Sequence, residues 1–170
     1  NLCENDVTLL KGLKEKYPHG EVLKFFTNRT DLQCAVCKSQ SKKKFAIVFR
    51  GSESTMDWIY DFMVWKTAFK YGNKSFGKVH FGFYNQIMAN NFMLHLSTLV
   101  EEQIHLHPDY EWELTGHSAG GAQCILVGYL LAYTFQDKHF TINSLAAPRV
   151  GDKTFAKLFQ NRQIEIISGC

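Results

Sequence analysis

A serine framed by glycines is the strongest chemical signal in the sequence. In the segment "TGHSAGG", Ser118 has Gly116 two positions before it and Gly120 two positions after it, with His117 and Ala119 as its direct neighbours. Glycine carries an entropic cost in regular elements and is kept where the chain bends sharply or another segment comes close. The spacing is that of a nucleophile elbow, a strained turn that lifts a serine hydroxyl above a sheet so that it can attack a substrate.

The segments on either side of this serine fit that turn. Residues 110–115 alternate apolar and polar side chains as a strand does, and residues 122–135 are almost entirely apolar, as in a buried helix. Ser118 is therefore predicted at a strand-to-helix turn, where the first backbone N–H groups of the helix can stabilise a developing oxyanion. The motif alone also occurs by chance, and a glycine-rich turn without chemistry is the alternative.

A second strand is predicted to end near the same site. The segment "FAIVFRGSES" has a buried strand that stops at a glycine turn, Gly51, followed by Ser52. A turn beside the elbow strand could supply the second N–H of an oxyanion hole, with the Ser52 hydroxyl as an additional donor. The alternative is an ordinary turn at the end of a strand.

An amphipathic segment follows this turn. In "TMDWIYDFMVW" the apolar residues at helical spacing are Met56, Ile59, Tyr60 and Met63. Asp57 and Asp61 lie on other faces of the predicted helix. Such a stripe is commonly part of the core. Next to an acyl-transfer site we favour a lid, whose apolar face covers the site in water and turns towards a lipid surface on opening.

Composition limits the classes of protein. The chain has 170 residues, 45% of them hydrophobic, and a net charge of +3. This suits one domain over residues 1–170 with a sizeable core. The basic run at residues 42–44 is better explained by a solvated hairpin turn than by a nucleic-acid patch. The apolar run at 124–135 is too short to span a bilayer. No signal peptide opens the chain, so one was removed or the protein is not secreted.

Five cysteines cannot all pair within the chain. Cys34 and Cys37 are three apart on a predicted strand, so their side chains point to opposite faces, which disfavours a disulfide and a zinc site. Cys124 is expected in the core. Cys3 and Cys170 remain as free thiols or as partners of cysteines not present here.

Two asparagines stand in Asn-x-Ser/Thr triplets that are compatible with secretion. They are Asn28 in "NRT" and Asn73 in "NKS". Such triplets are frequent by chance. Together with the two terminal cysteines they narrowly favour an extracellular protein, and a cytoplasmic location is the alternative.

The order of predicted elements indicates an α/β fold. The expected helices are near 5–16, 82–106, 122–135 and 152–159, and the expected strands near 21–27, 33–38, 44–50, 77–80, 110–115, 139–146 and 162–168. After an opening meander, strands alternate with helices, which implies a mostly parallel sheet with helices on both faces. Ligands of such sheets bind at the carboxyl ends of the strands, where the elbow serine is expected.

Five segments in a fixed order resemble one family. "IVFRGSES", "DWIYD", "KVHFGF", "TGHSAGG" and "AAPRVGDKTFA" have the order and spacing of the class 3 lipases, the fungal triacylglycerol lipase group of the α/β-hydrolase fold. The resemblance covers the chain from about residue 44 to the end. It implies hydrolysis of an acyl ester without metal or cofactor.

The resemblance also implies roles for individual residues. Ser118 would be the nucleophile, and the backbone amides of Ser52 and Ala119 would form the oxyanion hole. Ala119 replaces the leucine that is commonest after the nucleophile, which affects the pocket more than the amide. The lid would comprise Thr55, Met56, Asp57, Trp58, Ile59, Tyr60 and Asp61, with Trp58 as the lid tryptophan. The positions expected to be scaffold are His80, Pro148, Arg149 and Gly151.

The remaining two members of the family's triad are not found in the sequence. The family carries an aspartate after the strand predicted here at 162–168, then a histidine near the C-terminus, whereas no histidine follows His139. Asp137 and His139 come after a helix of some 16 residues, which places them roughly 24 Å from Ser118. We expect the chain to be a fragment whose continuation begins with the aspartate and reaches the histidine within about a hundred residues. The 170 residues alone should be nearly inactive.

Two kinds of function remain open from the sequence. The favoured one is a monomeric serine esterase that forms an acyl-enzyme on lipid or other acyl esters and meets a membrane or lipid-droplet surface through its lid. The alternative is a hydrolase-like scaffold that binds a lipid or protein without turnover. Within the enzyme class, triacylglycerol, phospholipid and feruloyl-type esters are all compatible with the residues. No nucleic-acid partner is expected.

Overall fold

Eight strands and four α-helices make up the described part of the chain. The computed structural model describes residues 20–51, 65–159 and 164–169. The strands are β1 Gly20–Thr27, β2 Gln33–Ser39, β3 Lys44–Phe49, β4 Lys66–Tyr71, β5 Lys74–His80, β6 Glu111–His117, β7 Phe140–Leu145 and β8 Ile164–Gly169. The helices are α1 Phe81–Met88, α2 Phe92–Leu106, α3 Ala119–Thr134 and α4 Lys153–Phe159. The helix expected at 5–16 lies outside the described residues.

Six strands form one sheet in the order β1-β2-β3-β6-β7-β8. The first two pairings, β1 with β2 and β2 with β3, are antiparallel, as the predicted meander requires. The next three pairings are parallel. Because a parallel connection must cross over the sheet, α3 runs between β6 and β7 and α4 between β7 and β8. The prediction of a mostly parallel sheet after an antiparallel start is confirmed.

The register of the parallel strands brings their carboxyl ends to one edge. Phe49 at the end of β3 pairs with Gly116 on β6. His117, the last residue of β6, pairs with Leu145 at the end of β7, which pairs in turn with Gly169 at the end of β8. The chain therefore leaves four neighbouring strands at the edge where α/β proteins bind their ligands.

Helix α3 is the centre of the core. Thirteen of its 16 residues are buried, so it is apolar on all sides, as expected of a helix enclosed by other elements. One side packs on β6 and β7. On another side Tyr129 contacts Phe69 and Phe76 of the β4–β5 hairpin and Phe155 of α4. This aromatic cluster attaches the hairpin and α4 to the main sheet.

The expectation of one uninterrupted helix over 82–106 was wrong. Helix α1 ends at Met88, a 3-10 turn spans Ala89–Asn91, and α2 begins at Phe92. Asn90 and Asn91 have φ angles of 53° and 55°, in the left-handed region that asparagine tolerates better than most residues. Two successive asparagines therefore break the helix, although the apolar pattern continues across the break.

The strand β4 was not expected. It pairs antiparallel with β5, which is longer than the short strand predicted at 77–80, and the pairing shifts between Ala68 and Lys70. Phe69 is the only fully buried residue of β4. A strand with one buried side chain and an irregular register lacks the regular alternation from which strands are recognised.

The described cysteines lie at the strand and core positions that the sequence predicts. Cys34 is buried and Cys37 is half-buried on β2, and both are free thiols. Cys124 is completely buried in α3. Cys3 and Cys170 lie outside the described residues. Among those that are described, no group of three histidine, cysteine or carboxylate side chains is placed to hold a metal ion, and no helix is long and apolar enough to cross a membrane.

Candidate active site

Ser118 occupies a strained turn between β6 and α3. Its φ and ψ angles are 54° and −121°, a conformation that residues with a side chain rarely adopt. Its N–H donates a hydrogen bond to the carbonyl of Leu145 at 2.9 Å, and its own carbonyl accepts one from Ala122 at 3.1 Å. The turn is therefore held by β7 on one side and by the first turn of α3 on the other.

The two glycines of the elbow are required by space. A Cβ at Gly116 would lie 2.5 Å from the carbonyl oxygen of Gly120, and a Cβ at Gly120 would lie 2.7 Å from the carbonyl oxygen of Phe49. Real Cβ atoms do not approach backbone this closely. Strand β6, helix α3 and strand β3 thus meet at a distance that only glycine permits, which is the structural reason for the spacing of the motif.

A third glycine, Gly121, belongs to the same contact. A Cβ there would lie 2.9 Å from Oγ of Ser144. That buried hydroxyl donates a hydrogen bond to the carbonyl of Gly121 at 3.2 Å. The start of α3 is thus fixed to β7 as well as to β3.

The turn after β3 reaches the elbow, as the sequence predicts. A Cβ at Gly51 would lie 2.7 Å from the carbonyl oxygen of His117, so Gly51 packs directly on the residue before Ser118. Ser52, the expected second oxyanion donor, and the expected lid residues Thr55 to Asp61 lie outside the described residues. Their roles stay predictions.

Ala119, the predicted oxyanion donor, follows Ser118 directly at the start of a helix. It is the first residue of α3, and the backbone N–H groups at the start of a helix have no acceptor within the helix. Their partial positive charge favours an anion at this end. Ser118 and Ala119 are only 8% and 1% exposed, so charge at this position would be poorly screened by water.

The described part of the chain has histidines beside the elbow, in the core and beyond the far end of α3. His117 is exposed and its Nδ1 lies near Gly51 rather than in the core. His80 is buried, its Nδ1 accepts a hydrogen bond from the N–H of Gly82 at 3.1 Å, and its ring packs on Phe83. That contact caps α1 and fits the scaffold role expected of His80. His139 follows the far end of α3, where the sequence places it.

Two other expected scaffold residues join β5 to α4. Gly151 pairs with Val79, and the Nε of Arg149 donates a hydrogen bond to the carbonyl of Gly151 at 3.2 Å. The segment before α4 is thereby attached to the hairpin.

The chain matches the family model described as "Lipase (class 3)" over residues 46–168. It belongs to the class 3 lipase family. A lipase of Rhizopus niveus is 34% identical over 146 residues, which are 82% of this chain and 36% of the relative. A secreted alkaline triacylglycerol lipase of Penicillium cyclopium is 30% identical over 130 residues, 75% of this chain and 45% of the relative. The chain thus spans less than half the length of these two relatives.

A solved structure confirms the fold of this class 3 lipase chain. The lipase from Rhizopus microsporus var. chinensis superposes with a TM-score of 0.79 at 30% identity, over 93% of this chain and 55% of that one. The expected α/β-hydrolase fold and the resemblance stated from the five motifs are both confirmed.

Sequence reasoning missed a buried polar network beside the elbow helix. Nε2 of Gln123 on α3 donates to Oε1 of Gln86 on α1 at 2.9 Å. Nε2 of Gln86 donates to the carbonyl of Thr30, and Nδ2 of Asn28 donates to the carbonyl of Gln86 at 2.7 Å. The network links α3, α1 and the β1–β2 turn. Its one signal in the sequence is the single glutamine at the start of the long apolar run.

The described thiols do not compete with the serine as nucleophiles. Burial raises the pKa of Cys34 well above its usual value, and the nearby Cys124 and Cys37 raise it further. Burial also raises the pKa of Cys37 and that of Cys124. Since the thiolate is the reactive form, these cysteines remain protonated and inert.

Proposed function

We propose that this chain carries the nucleophile of a serine esterase that hydrolyses carboxylic esters of lipids, with Ser118 as that nucleophile. The observation that carries the proposal is the backbone of Ser118 at φ 54°, ψ −121° on the edge where β3, β6 and β7 end. Strain of this kind persists only where the surrounding structure imposes it, and it clusters at functional sites. The family and the names of the relatives support the reaction class.

The proposed reaction proceeds through an acyl-enzyme. The Oγ of Ser118 attacks the ester carbonyl while a histidine takes its proton, and the backbone amides of Ala119 and Ser52 stabilise the oxyanion. The tetrahedral intermediate then expels the alcohol, which receives the proton from the imidazolium. Water, deprotonated by the same histidine, attacks the acyl-serine, and the carboxylic acid leaves with the serine restored. The reaction needs no cofactor.

The histidine and its acidic partner come, in this proposal, from outside the described residues. Asp137 and His139 lie beyond the far end of α3, whose 16 residues extend about 24 Å. By contrast, Gly169 at the end of β8 pairs with Leu145, whose carbonyl binds the N–H of Ser118. A carboxylate that followed β8 would therefore lie at the same edge of the sheet as Ser118.

The proposal includes a lid and an extracellular location. Thr55 to Asp61, with Trp58 among them, form the lid. This is supported by their amphipathic spacing, by their place directly after the turn at Gly51, and by the 8% exposure of Ser118, which a movable cover would explain. Secretion is supported by the name of the Penicillium relative. Triacylglycerol is the favoured substrate, since that relative is named a triacylglycerol lipase.

Labelling with a fluorophosphonate tests the nucleophile in the whole protein. We expect one adduct per molecule on the peptide that contains Ser118, located by mass spectrometry. Ser118→Ala should abolish the adduct and lower kcat by at least about a thousand-fold. Ser97→Ala is the control, since it removes a serine hydroxyl on α2 outside the elbow and should keep the label. A whole protein that binds lipid but takes no label would support a non-catalytic scaffold instead.

A further inference from the structure

Positive charge is concentrated in one part of the molecule. Residues 65–100 contain four lysines and no carboxylate, and residues 146–159 contain three cations and one carboxylate. Together these two segments carry a net charge of +6. The other 12 cations and 15 carboxylates of the chain leave −3 elsewhere. The small net charge of the whole chain thus conceals a strongly basic region.

Three of these lysines share the outer face of the β4–β5 hairpin. Lys78 pairs with Ala68, and Lys66 and Lys70 lie two positions to either side of Ala68 on β4. Side chains two positions apart on a strand point to the same side. All three lysines are exposed. We call Lys66, Lys70 and Lys78 the basic hairpin face.

The opposite side of the hairpin is held by the core. Phe69 and Phe76 are buried there and pack on Tyr129 of α3. Because the hairpin is anchored through these rings, the three lysines are fixed towards solvent.

One described carboxylate, Asp152, interacts with the charge of Lys66 and offsets only part of the charge of this face. The two ion pairs among the described residues join Lys43 to Asp109 and Lys44 to Glu111, both at the far end of β3. Asp152 is the carboxylate of the basic region, and its Oδ1 accepts a hydrogen bond from the N–H of Phe155 at 2.8 Å. It is therefore already engaged in capping α4.

Exposed aromatic rings border the basic hairpin face. Trp65 and Phe81 are 66% and 45% exposed, and the N–H of Phe81 donates a hydrogen bond to the carbonyl of Trp65 at 2.9 Å. With Lys66 and Thr67 they line a shallow hollow of about 440 Å³. No residue of the elbow is among those lining it. Tryptophan beside lysine is the combination found where proteins meet the headgroup layer of a lipid surface.

We propose that the basic hairpin face and the Trp65–Phe81 hollow bind this chain to a lipid surface that carries anionic phospholipid headgroups. The proposal rests on the lipid esterase function proposed above and specifies the surface on which it acts. The ammonium groups attract the headgroup phosphates, and each lysine near such a surface raises the affinity several-fold. The rings enter the interface beside them.

Vesicle sedimentation of the whole protein tests the surface. We compare vesicles of pure phosphatidylcholine with vesicles that also contain phosphatidylglycerol. The wild type should bind the anionic vesicles at least about ten-fold more tightly, and added salt should abolish the difference. The variant with Lys66→Glu, Lys70→Glu and Lys78→Glu should lose the preference. The variant with Lys24→Glu, Arg29→Glu and Lys42→Glu changes the net charge equally at exposed positions elsewhere and should keep it.

The outcomes separate this surface from the catalytic proposal. Hydrolysis of a soluble short-chain ester should be equal in both triple variants, because none of the six residues lies in the elbow. Trp65→Ala with Phe81→Ala should weaken binding to both kinds of vesicle. The proposed lipid-binding surface would be overturned if the variant of Lys66, Lys70 and Lys78 still preferred anionic vesicles. It would also be overturned if both triple variants lost that preference equally. If the wild type bound duplex DNA but showed no preference for anionic vesicles, the basic hairpin face would be assigned to nucleic acid. Fluorophosphonate labelling is independent of all these results.

Discussion

Two turns in this molecule contain glycine for different reasons. In the elbow, a Cβ at Gly116 would lie 2.5 Å from the carbonyl oxygen of Gly120. At the tip of the β4–β5 hairpin, a Cβ at Gly72 would meet nothing within 4 Å, but the residue has a φ of 57°. The elbow needs glycine for space and the tip needs it for conformation.

The difference shows how the two regions relate to function. The elbow is a close-packed junction of three elements, and its chemistry depends on where one oxygen lies. The hairpin is open on its outer side, and its proposed role depends on the sign and number of exposed charges. A single substitution at the elbow should therefore cause a large loss of stability. Substitutions of the hairpin lysines should instead weaken lipid binding step by step.

The largest effect is expected from Gly116→Ala. The added methyl group faces backbone atoms of Gly120 and Gly121, which cannot rotate away as a side chain can. Such overpacking against backbone should lower the free energy of unfolding by about 3 kcal/mol or more. Urea denaturation of the whole protein measures it.

Gly72→Ala is the matched control for this substitution. The same methyl group enters open space there and meets only the cost of a positive φ, about 1 kcal/mol. If both substitutions cost the same, the contrast between the two turns would be lost.

An intermediate effect is expected from Asn28→Ala. The Oδ1 of Asn28 accepts hydrogen bonds from the N–H groups of Thr30 and Leu32 at 3.0 and 3.2 Å, and its Nδ2 donates to the carbonyl of Gln86. Loss of these contacts leaves half-buried backbone groups unsatisfied, which should cost about 2 kcal/mol. The measurement is the shift of the urea midpoint at constant slope.

Asn73→Ala provides the comparison at the open tip. Asn73 is an exposed residue of the hairpin turn, so its substitution should change the free energy of unfolding by no more than about 0.5 kcal/mol. A loss at Asn73 as large as that at Asn28 would mean that the tip is not the open region we describe.

The elbow could be predicted because its determinants are local in sequence. Gly116, Ser118 and Gly120 lie within five positions, and a strand and a helix flank them directly. The contact between Gly51 and the elbow could be predicted from a general rule, because the carboxyl ends of neighbouring parallel strands lie at one edge of the sheet. Neither step required knowledge of distant contacts.

The missed features depend on contacts that are distant in sequence. Asn28 and Gln86 are 58 positions apart, and Gln86 and Gln123 are 37 apart, so nothing near either residue reveals the network. Strand β4 is defined by its pairing with β5 rather than by its own pattern. The break at Asn90 lies within an apolar pattern that continues on both sides, and periodicity cannot report the backbone conformation of a single residue.

The smallest effect is expected from Asp152→Asn at the base of the hairpin. The hydrogen bond from the N–H of Phe155 is the main cause that holds the pKa of Asp152 below its usual value, and the charge of Lys66 lowers it slightly. A depressed pKa means that the ionised form stabilises the folded state. This contribution is complete above the pKa of the unfolded chain and is lost as the pH falls through the lower folded value.

Thermal unfolding across this acid range measures the contribution of Asp152. The variant should be slightly less stable than the wild type at neutral pH. The difference should shrink as the pH falls, because protonation removes from the wild type the same negative charge that the substitution has removed from the variant. Since Asp152 is half-buried and water still screens its charge, the difference should remain modest. A difference that stays constant down to the most acid pH would mean that Asp152 acts through its shape rather than its charge, and that α4 is joined to the β4–β5 hairpin by packing alone.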